Sequence, residues 1–227
     1  MRFLLFLFVL AGCCVNTGLP GEAFLGAPYV ASPLGEGVAP DSDPLIRFDA
    51  FDCVTFVETV LAGGDVDALN QIRYKNGNVD FVARNHFIES DWLVNNANLV
   101  ENVSRNFAET KIKHVVIDKA AWFKKVHNLD TDFVPVAVGL EYIPYEKLGR
   151  IDSRETLIVL FVADNQKNRD KIGTDLAVVH MGLLLPNGML RHASSDKKCV
   201  TDVSFQEYIA ARAMVKTNLG IVLVKIK

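Results

Sequence analysis

Two apolar runs joined by a tight turn signal constrain the fold more than any other part of the chain. The first run is AVVHMGLLL (177–185), and a shorter run covers residues 189–193 after Pro186-Asn187-Gly188. Pro-Asn-Gly between two apolar segments is a strong hairpin turn signal. We therefore predict two adjacent antiparallel strands at this point.

Other segments of the 227-residue chain suit a single domain that begins with helices and ends in strands. Apolar residues recur with the helical or strand period in several places, and polar cap residues precede some of them. Three further helices are predicted: one at 67–74, one that begins near Asp91 with Ser90 as its N-cap, and one at 204–213. Two further strands are predicted at 157–163 and 220–226. Helices followed by an antiparallel sheet predict an α+β fold.

The segment FDCVTFVETVLAGG (51–64) predicts a helix with a cysteine in its first turn. Asp52 is a favourable N-cap residue, apolar residues recur from Val54 to Leu61, and Gly63 provides a stop. Free backbone N–H groups and the helix dipole in a first turn favour a thiolate over a thiol. Cys53 is therefore a candidate nucleophile, and the alternative is a small buried apolar residue.

Two histidines lie on the two strands of the predicted hairpin. His180 lies inside the first apolar run and His192 follows the turn, so residues 181–183 should lie roughly opposite 191–192. His180 could be a satisfied core residue, or it could activate Cys53 while His192 orients it, as in a catalytic triad. A zinc site would need a third ligand, and the sequence has no HExxH motif or Cys/His cluster, so we expect no metal and no cofactor.

The N-terminal residues MRFLLFLFVLAGCC have the form of a secretory signal. Their apolar run is too short to cross a bilayer as a helix. The sequence Leu-Ala-Gly before Cys13 resembles the bacterial lipobox, in which that cysteine carries the lipid; an ordinary signal peptide cleaved slightly later is the alternative. We expect a signal peptide at 1–12, a short tether at 13–23 and one domain at 24–227. The protein would then be exported and lipid-anchored in the bacterial periplasm or cell envelope.

Charge and cysteine content exclude other classes. The formal net charge is −3, with both signs dispersed along the chain, which argues against a nucleic-acid-binding protein. Beyond the signal region the chain has Cys53 and Cys199, too few for a disulfide scaffold. Cys199 could be incidental, or it could form one disulfide with Cys53.

The motifs around Cys53 and the two histidines resemble those of the NlpC-like papain-fold cell-wall hydrolases. Asp-Cys opens a helix, His-Met-Gly lies within a strand and His-Ala follows a turn. The resemblance implies a papain-like α+β fold in which a catalytic helix packs on a mainly antiparallel sheet. It also implies that Cys53, His180 and His192 are catalytic, and that the Cys53 backbone N–H helps to bind the oxyanion. The segment LGAPY resembles the Gly-x-Pro-Tyr of that superfamily and makes Tyr29, with Asp52, a possible active-site residue.

A narrower resemblance covers almost the whole mature chain. The ordered motifs FDCVTFVETVLA, IRYKNG, RNHF with DWLVNN, HMGLLL and RHASS are similar to the N-acetylmuramoyl-L-alanine amidase-like branch, once a domain of unknown function. Possible substrate contacts implied by this branch are Arg84, His86, Asp91 and Trp92. Trp92 could instead be a core aromatic, and His86 could stabilise a loop. Residues 111–150 match least well, and no SH3-like wall-binding module fits before the domain.

The resemblance implies a monomeric cysteine hydrolase that cuts an amide bond of peptidoglycan or muropeptides, without a cofactor. The branch favours the bond between N-acetylmuramic acid and L-alanine. A stem-peptide endopeptidase would use the same nucleophile, and an acyltransferase could pass the same thioester to an amine or hydroxyl. A non-catalytic wall-binding protein is a further alternative, although it would have no need of the ordered Cys, His and His.

Overall fold

An eight-stranded antiparallel sheet lies at the centre of a computed structural model, which describes residues 18–164 and 166–227. The strands are β1 (Val100–Asn102), β2 (Lys111–Ile117), β3 (Val136–Pro144), β4 (Leu157–Ala163), β5 (Val178–Leu184), β6 (Met189–Ser194), β7 (Cys199–Ser204) and β8 (Asn218–Ile226). Their order is β2-β3-β8-β4-β5-β6-β7, and β1 pairs with β8. The mixed α/β architecture and the antiparallel sheet confirm the predicted class.

Short helices surround this sheet. They are α1 (Cys53–Leu61), α2 (Val66–Arg73), α3 (Leu93–Asn95), α4 (Lys119–Trp122), α5 (Gln166–Ile172) and α6 (Phe205–Ala213). π-Helical turns at Ile88–Trp92 and Phe123–His127 precede α3 and follow α4. Single 3-10 turns occupy Glu22–Phe24, Lys75–Gly77, Ser104–Asn106 and Tyr145–Lys147.

Strand β4 shows why the centre of the sheet is apolar on both faces. All seven of its residues are buried. Ile158 and Leu160 belong to the core that also contains residues of α1 and α2, whereas Val159 and Phe161 belong to the core beside α6. Because alternate side chains of a strand point to opposite faces, a strand covered on both sides reads as an unbroken apolar run.

The segment before α1 packs along the outer edge of β7. Gly26 donates its N–H to the Val200 carbonyl at 2.9 Å, and Tyr29 donates to the Lys198 carbonyl at 2.8 Å. Contact between this N-terminal segment and the sheet begins before the predicted domain boundary at residue 24. Arg191 Nη1, on β6, donates to the Leu19 carbonyl at 3.1 Å. The predicted signal segment 1–12 lies outside the described residues.

Most predicted elements are present, and the structure adds others. The hairpin of β5 and β6 and the strands β4 and β8 confirm the apolar patterns. Ser90 is not an N-cap: it lies inside the π-helical turn Ile88–Trp92, whose preceding residue is Phe87. Strands β1, β2, β3 and β7 and helices α4 and α5 have no counterpart among the predicted elements. Within the part of the chain that the structure describes, no helix has the length and apolarity to span a bilayer.

Candidate active site

Cys53 is the first residue of α1, and Asp52 caps this helix as predicted. Oδ1 of Asp52 accepts from the N–H of Val54 at 3.1 Å and of Thr55 at 2.8 Å. The Thr55 hydroxyl in turn accepts a hydrogen bond from the Asp52 N–H at 3.0 Å. This capping box fixes the first turn and therefore the position of the Cys53 side chain.

His180 and His192 meet across the hairpin. Their rings lie 4.9 Å apart between centroids, and His180 Nε2 is 2.7 Å from His192 Nδ1. Leu183 pairs with Arg191, which confirms the predicted approximate register. The close approach depends on Gly182, where a Cβ atom would lie 2.9 Å from Cβ of His192.

Cys53 and His180 line the same small cavity of about 140 Å³. His86 also lines it. Apolar residues supply most of the remaining wall: Val54, Ile88, Leu176, Val178, Val179 and Met181. The structure therefore brings the predicted nucleophile and the predicted base to one cavity, and the second histidine lies 2.7 Å from the base.

The Cys53 thiol and the two imidazoles favour their neutral forms, contrary to the expectation of a thiolate. Burial raises the pKa of Cys53 to about 12, and the negative charge of Asp52 acts in the same direction. Backbone N–H groups, among them that of Met181, lower this pKa but do not compensate for desolvation. Burial lowers the pKa of His180 to about 3 and that of His192 to about 4. Thiol and neutral imidazoles are therefore the stable forms near neutral pH.

Tyr29 lies close enough to Cys53 and Asp52 for both groups to affect the pKa of its hydroxyl. Burial raises this pKa most, and the ionised form of Cys53 and the Asp52 carboxylate raise it further. Asp52 also contacts the loop beside the site, since its Oδ2 accepts the Ser32 N–H at 3.1 Å. Both possible active-site residues predicted from the sequence are thus placed next to Cys53.

A second, polar cavity of about 210 Å³ adjoins the first. Val54, Asn85 and His86 line both cavities. Arg84 lines the polar one and forms ion pairs with Glu36 at 2.6 Å and with Asp41 at 2.8 Å. Two of the four predicted substrate contacts, Arg84 and His86, therefore lie beside the Cys53 cavity.

His86 also belongs to an aromatic cluster. Its Nε2 lies 2.7 Å from the Phe81 carbonyl oxygen, and its ring centroid lies 4.7 Å from that of Trp122. Burial lowers the pKa of His86 to about 3. A neutral His86 with Nε2–H donating to Phe81 leaves Nδ1 as an acceptor.

The structure places the other two predicted substrate contacts away from the cavities. Trp92 is 0% exposed and donates its indole N–H to Glu58 at 3.0 Å, so it is a core aromatic with no free surface. Asp91 is buried, accepts the Phe87 N–H at 3.3 Å and pairs with Lys119 at 3.0 Å. Both residues stabilise the π-helical turn that borders the site.

Several residues of the site were not predicted. Asn85 lies between Arg84 and His86 in the RNHF motif and lines both cavities, but a lone asparagine is more typical of a cap or turn. Glu58 and Arg73 line the polar cavity as a buried ion pair at 2.7 Å. Their separation in sequence gives no signal, because α1 and α2 become neighbours only in the folded chain.

Neither a disulfide nor a metal cluster is found in the described residues. Cys53 and Cys199 are free thiols, so the alternative of a bridge between them is wrong. No group of three or more His, Cys, Asp or Glu side chains in residues 18–164 and 166–227 has the geometry of a metal site.

Comparison with protein families gives a match over nearly the whole described chain. The profile of the AmiA-like family, described as N-acetylmuramoyl-L-alanine amidase-like, matches residues 20–216. The chain belongs to the AmiA-like family. Comparison with curated proteins gives no significant match.

Solved structures share the AmiA-like fold. Protein LPG0564 from Legionella pneumophila is 24% identical with a TM-score of 0.82, over 91% of this chain and 86% of that one. An N-acetylmuramoyl-L-alanine amidase from Bacteroides uniformis is 23% identical with a TM-score of 0.68, over 92% of this chain and 97% of that one. At these identities the likeness establishes the fold, and the family supports an amidase-like hydrolase.

Proposed function

We propose that this protein is a cysteine-dependent peptidoglycan amidase that cuts the amide bond between N-acetylmuramic acid and L-alanine. The observation that carries the proposal is the shared cavity of Cys53 and His180, with His192 Nδ1 2.7 Å from His180 Nε2. Family membership supports the bond type. The position of the cysteine at a helix N-terminus, beside a histidine on an antiparallel strand, supports the papain-like, NlpC-type arrangement.

The proposed reaction begins from the neutral pair. His180 Nδ1 takes the Cys53 thiol proton while the sulfur attacks the carbonyl carbon, because neither group is charged beforehand. This role requires the His180 tautomer with Nε2–H, which donates to Nδ1 of His192. The imidazolium then returns its proton to the leaving amine, and water hydrolyses the thioester.

Stabilisation of the tetrahedral intermediate would come from the start of α1. The Cys53 N–H is in the first turn, where no intrahelical acceptor exists, and can donate to the oxyanion. The Tyr29 hydroxyl is a second candidate donor. Val54, Asn85 and His86 line both cavities, and the substrate chain would lie across them.

The decisive test is to incubate the purified protein with defined muropeptides and identify the new termini by mass spectrometry. Expected products are a free lactyl carboxylate on the sugar and a peptide beginning with L-alanine. Cys53→Ala should abolish them, whereas Cys199→Ala, the same change at the other free cysteine of the described residues, should not. Products cut within the stem peptide would indicate an endopeptidase, and equal profiles for wild type and Cys53→Ala would refute cysteine catalysis.

We also propose that the chain is exported and anchored through Cys13 at the bacterial envelope, with residues 24–227 as one monomeric catalytic domain. The signal-like N-terminus and the peptidoglycan substrate support this location. Metabolic labelling with a lipid precursor tests the anchor. Wild type should be labelled and Cys13→Ser should not; label retained by Cys13→Ser would show that this cysteine is not the anchor.

A further inference from the structure

Glu89 is a buried carboxyl residue that connects the π-helical turn beside the cavity to the start of β5. Only 2% of its surface is exposed, and Oε1 accepts the Ala177 N–H at 2.6 Å across 88 residues of sequence. Oε2 is also buried, without a hydrogen-bond partner among the described residues. Burial raises the pKa of Glu89, which favours the uncharged carboxyl group.

Strand β5 contains a β-bulge immediately before His180. In its pairing with β4, His180 lies opposite Phe161. The next pair joins Val178 to Val162, so Val179 is an extra residue on β5. A bulge bends its strand and redirects the neighbouring side chain. The direction of the His180 ring therefore depends on how the chain is held just ahead of the bulge.

Ala177 is held from two sides at that point. Its carbonyl accepts the Ala163 N–H at 2.8 Å, and its own N–H is bound by Glu89. The same π-helical turn supplies Ile88 to the wall of the Cys53 cavity. One short segment thus both lines the cavity and fixes the strand that carries His180.

We propose that Glu89 is a positioning residue, whose carboxyl oxygen holds the Ala177 N–H and thereby directs His180 toward Cys53. This proposal rests on the proposed function, because it takes His180 to be the base that activates Cys53. The hydrogen-bond acceptor, rather than a negative charge, carries this role. Glutamine keeps that acceptor at the same distance from the backbone, whereas methionine fills a similar volume without an oxygen.

The test compares Glu89→Gln and Glu89→Met with wild type. Three readouts are needed: kcat and KM on muropeptides, the ¹⁵N shifts of the His180 imidazole, and the rate of Cys53 alkylation by iodoacetamide as a function of pH, resolved by peptide mass spectrometry. Ser104→Ala is a matched control, because the buried Ser104 hydroxyl accepts the Leu223 N–H at 3.0 Å in another part of the sheet.

Glu89→Met should lower kcat about 100-fold with little change in KM, since small displacements of a catalytic group have effects of this size. It should also shift the His180 imidazole resonances and the pH profile of Cys53 alkylation. Glu89→Gln should stay within about threefold of wild-type kcat, because it keeps the acceptor. Ser104→Ala should change unfolding but none of the three readouts.

Two results would overturn the positioning role. One is a folded Glu89→Met protein with wild-type His180 resonances and Cys53 alkylation. The other is a Glu89→Gln protein as impaired as Glu89→Met, which would assign the effect to charge. The resonances and alkylation need no muropeptide turnover, so a wild type without amidase activity would refute the proposed function alone, and these two readouts would still decide the role of Glu89.

Discussion

Replacing Asp52 separates two effects that one carboxylate has on Cys53. Its Oδ1 accepts from two backbone N–H groups of α1 and from the Thr55 hydroxyl, and its Oδ2 accepts the Ser32 N–H. The same carboxylate raises the pKa of Cys53 through its negative charge. Asparagine keeps the capping oxygen but removes the charge, whereas alanine removes both.

The expected loss of stability follows from these bonds. Asp52→Ala removes an N-cap, which typically costs about 1 kcal/mol, and a loop hydrogen bond of about 1 kcal/mol, so we expect about 2 kcal/mol in total. For a chain of this size, that corresponds to a fall in Tm of roughly 4–8 °C. Asp52→Asn should cost about 0.5–1 kcal/mol, because only the bond from Ser32 is lost.

Asp52→Asn and Asp52→Ala should affect the Cys53 thiol alike, although they affect stability to different extents. Both substitutions remove the charge, so both should lower the pKa of Cys53 and raise its alkylation rate by iodoacetamide at fixed pH. Asp65→Ala is the matched control: Asp65 caps α2 by accepting the Ala68 N–H at 2.8 Å, so its loss should lower Tm without changing the thiol. Equal destabilisation by Asp52→Asn and Asp52→Ala would refute the capping argument. An unchanged alkylation rate in both would refute the electrostatic one.

Three further predictions concern the packing around the site. Arg73→Met removes the ion-pair partner of the buried Glu58, which keeps the Trp92 N–H, and should cost about 3–5 kcal/mol at neutral pH by urea unfolding, with a smaller cost in acid. Gly182→Ala brings a Cβ against His192 and should cost about 1–3 kcal/mol while lowering muropeptide turnover. Burial lowers the pKa values of His86, His180 and His192, so the free energy of unfolding should fall as pH falls below 6.5, where the unfolded chain binds protons that the folded chain excludes.

Each of these has an outcome that would contradict it. An Arg73→Met protein as stable as wild type would show that the ion pair contributes no net stability. Unchanged turnover in Gly182→Ala would show that the hairpin can widen without moving the histidines. A free energy of unfolding that is constant between about pH 7 and about pH 5, where most carboxylates stay ionised, would show that the histidines are not held neutral.

The sequence predicts the parts of the site that are set by local rules. Asp52 starts α1 because an N-cap needs only the next three residues. The hairpin brings His180 and His192 together because an Asn-Gly turn fixes the register of two short strands. Each of these relationships spans few residues, so single-sequence patterns are sufficient.

Burial changed the chemistry that the local pattern predicts for Cys53. The helix N-terminus favours the thiolate, but the apolar cavity wall and the Asp52 charge raise the pKa of this thiol to about 12. Trp92 shows the same limit, because a motif position cannot reveal that its indole lies in the core against Glu58. Solvent exposure is a property of the packed chain.

By itself, the sequence determined the antiparallel hairpin, the capped helix and the order of Cys53, His180 and His192 along the chain. Only the tertiary structure decided that Glu89 binds the backbone ahead of the His180 bulge, that Arg84 borders a polar cavity and that the thiol and imidazoles are uncharged. The physical reason is the separation along the chain between the residues that interact. Capping and turn formation depend on neighbouring residues, whereas desolvation and contacts across 88 residues depend on which surfaces the whole fold brings together.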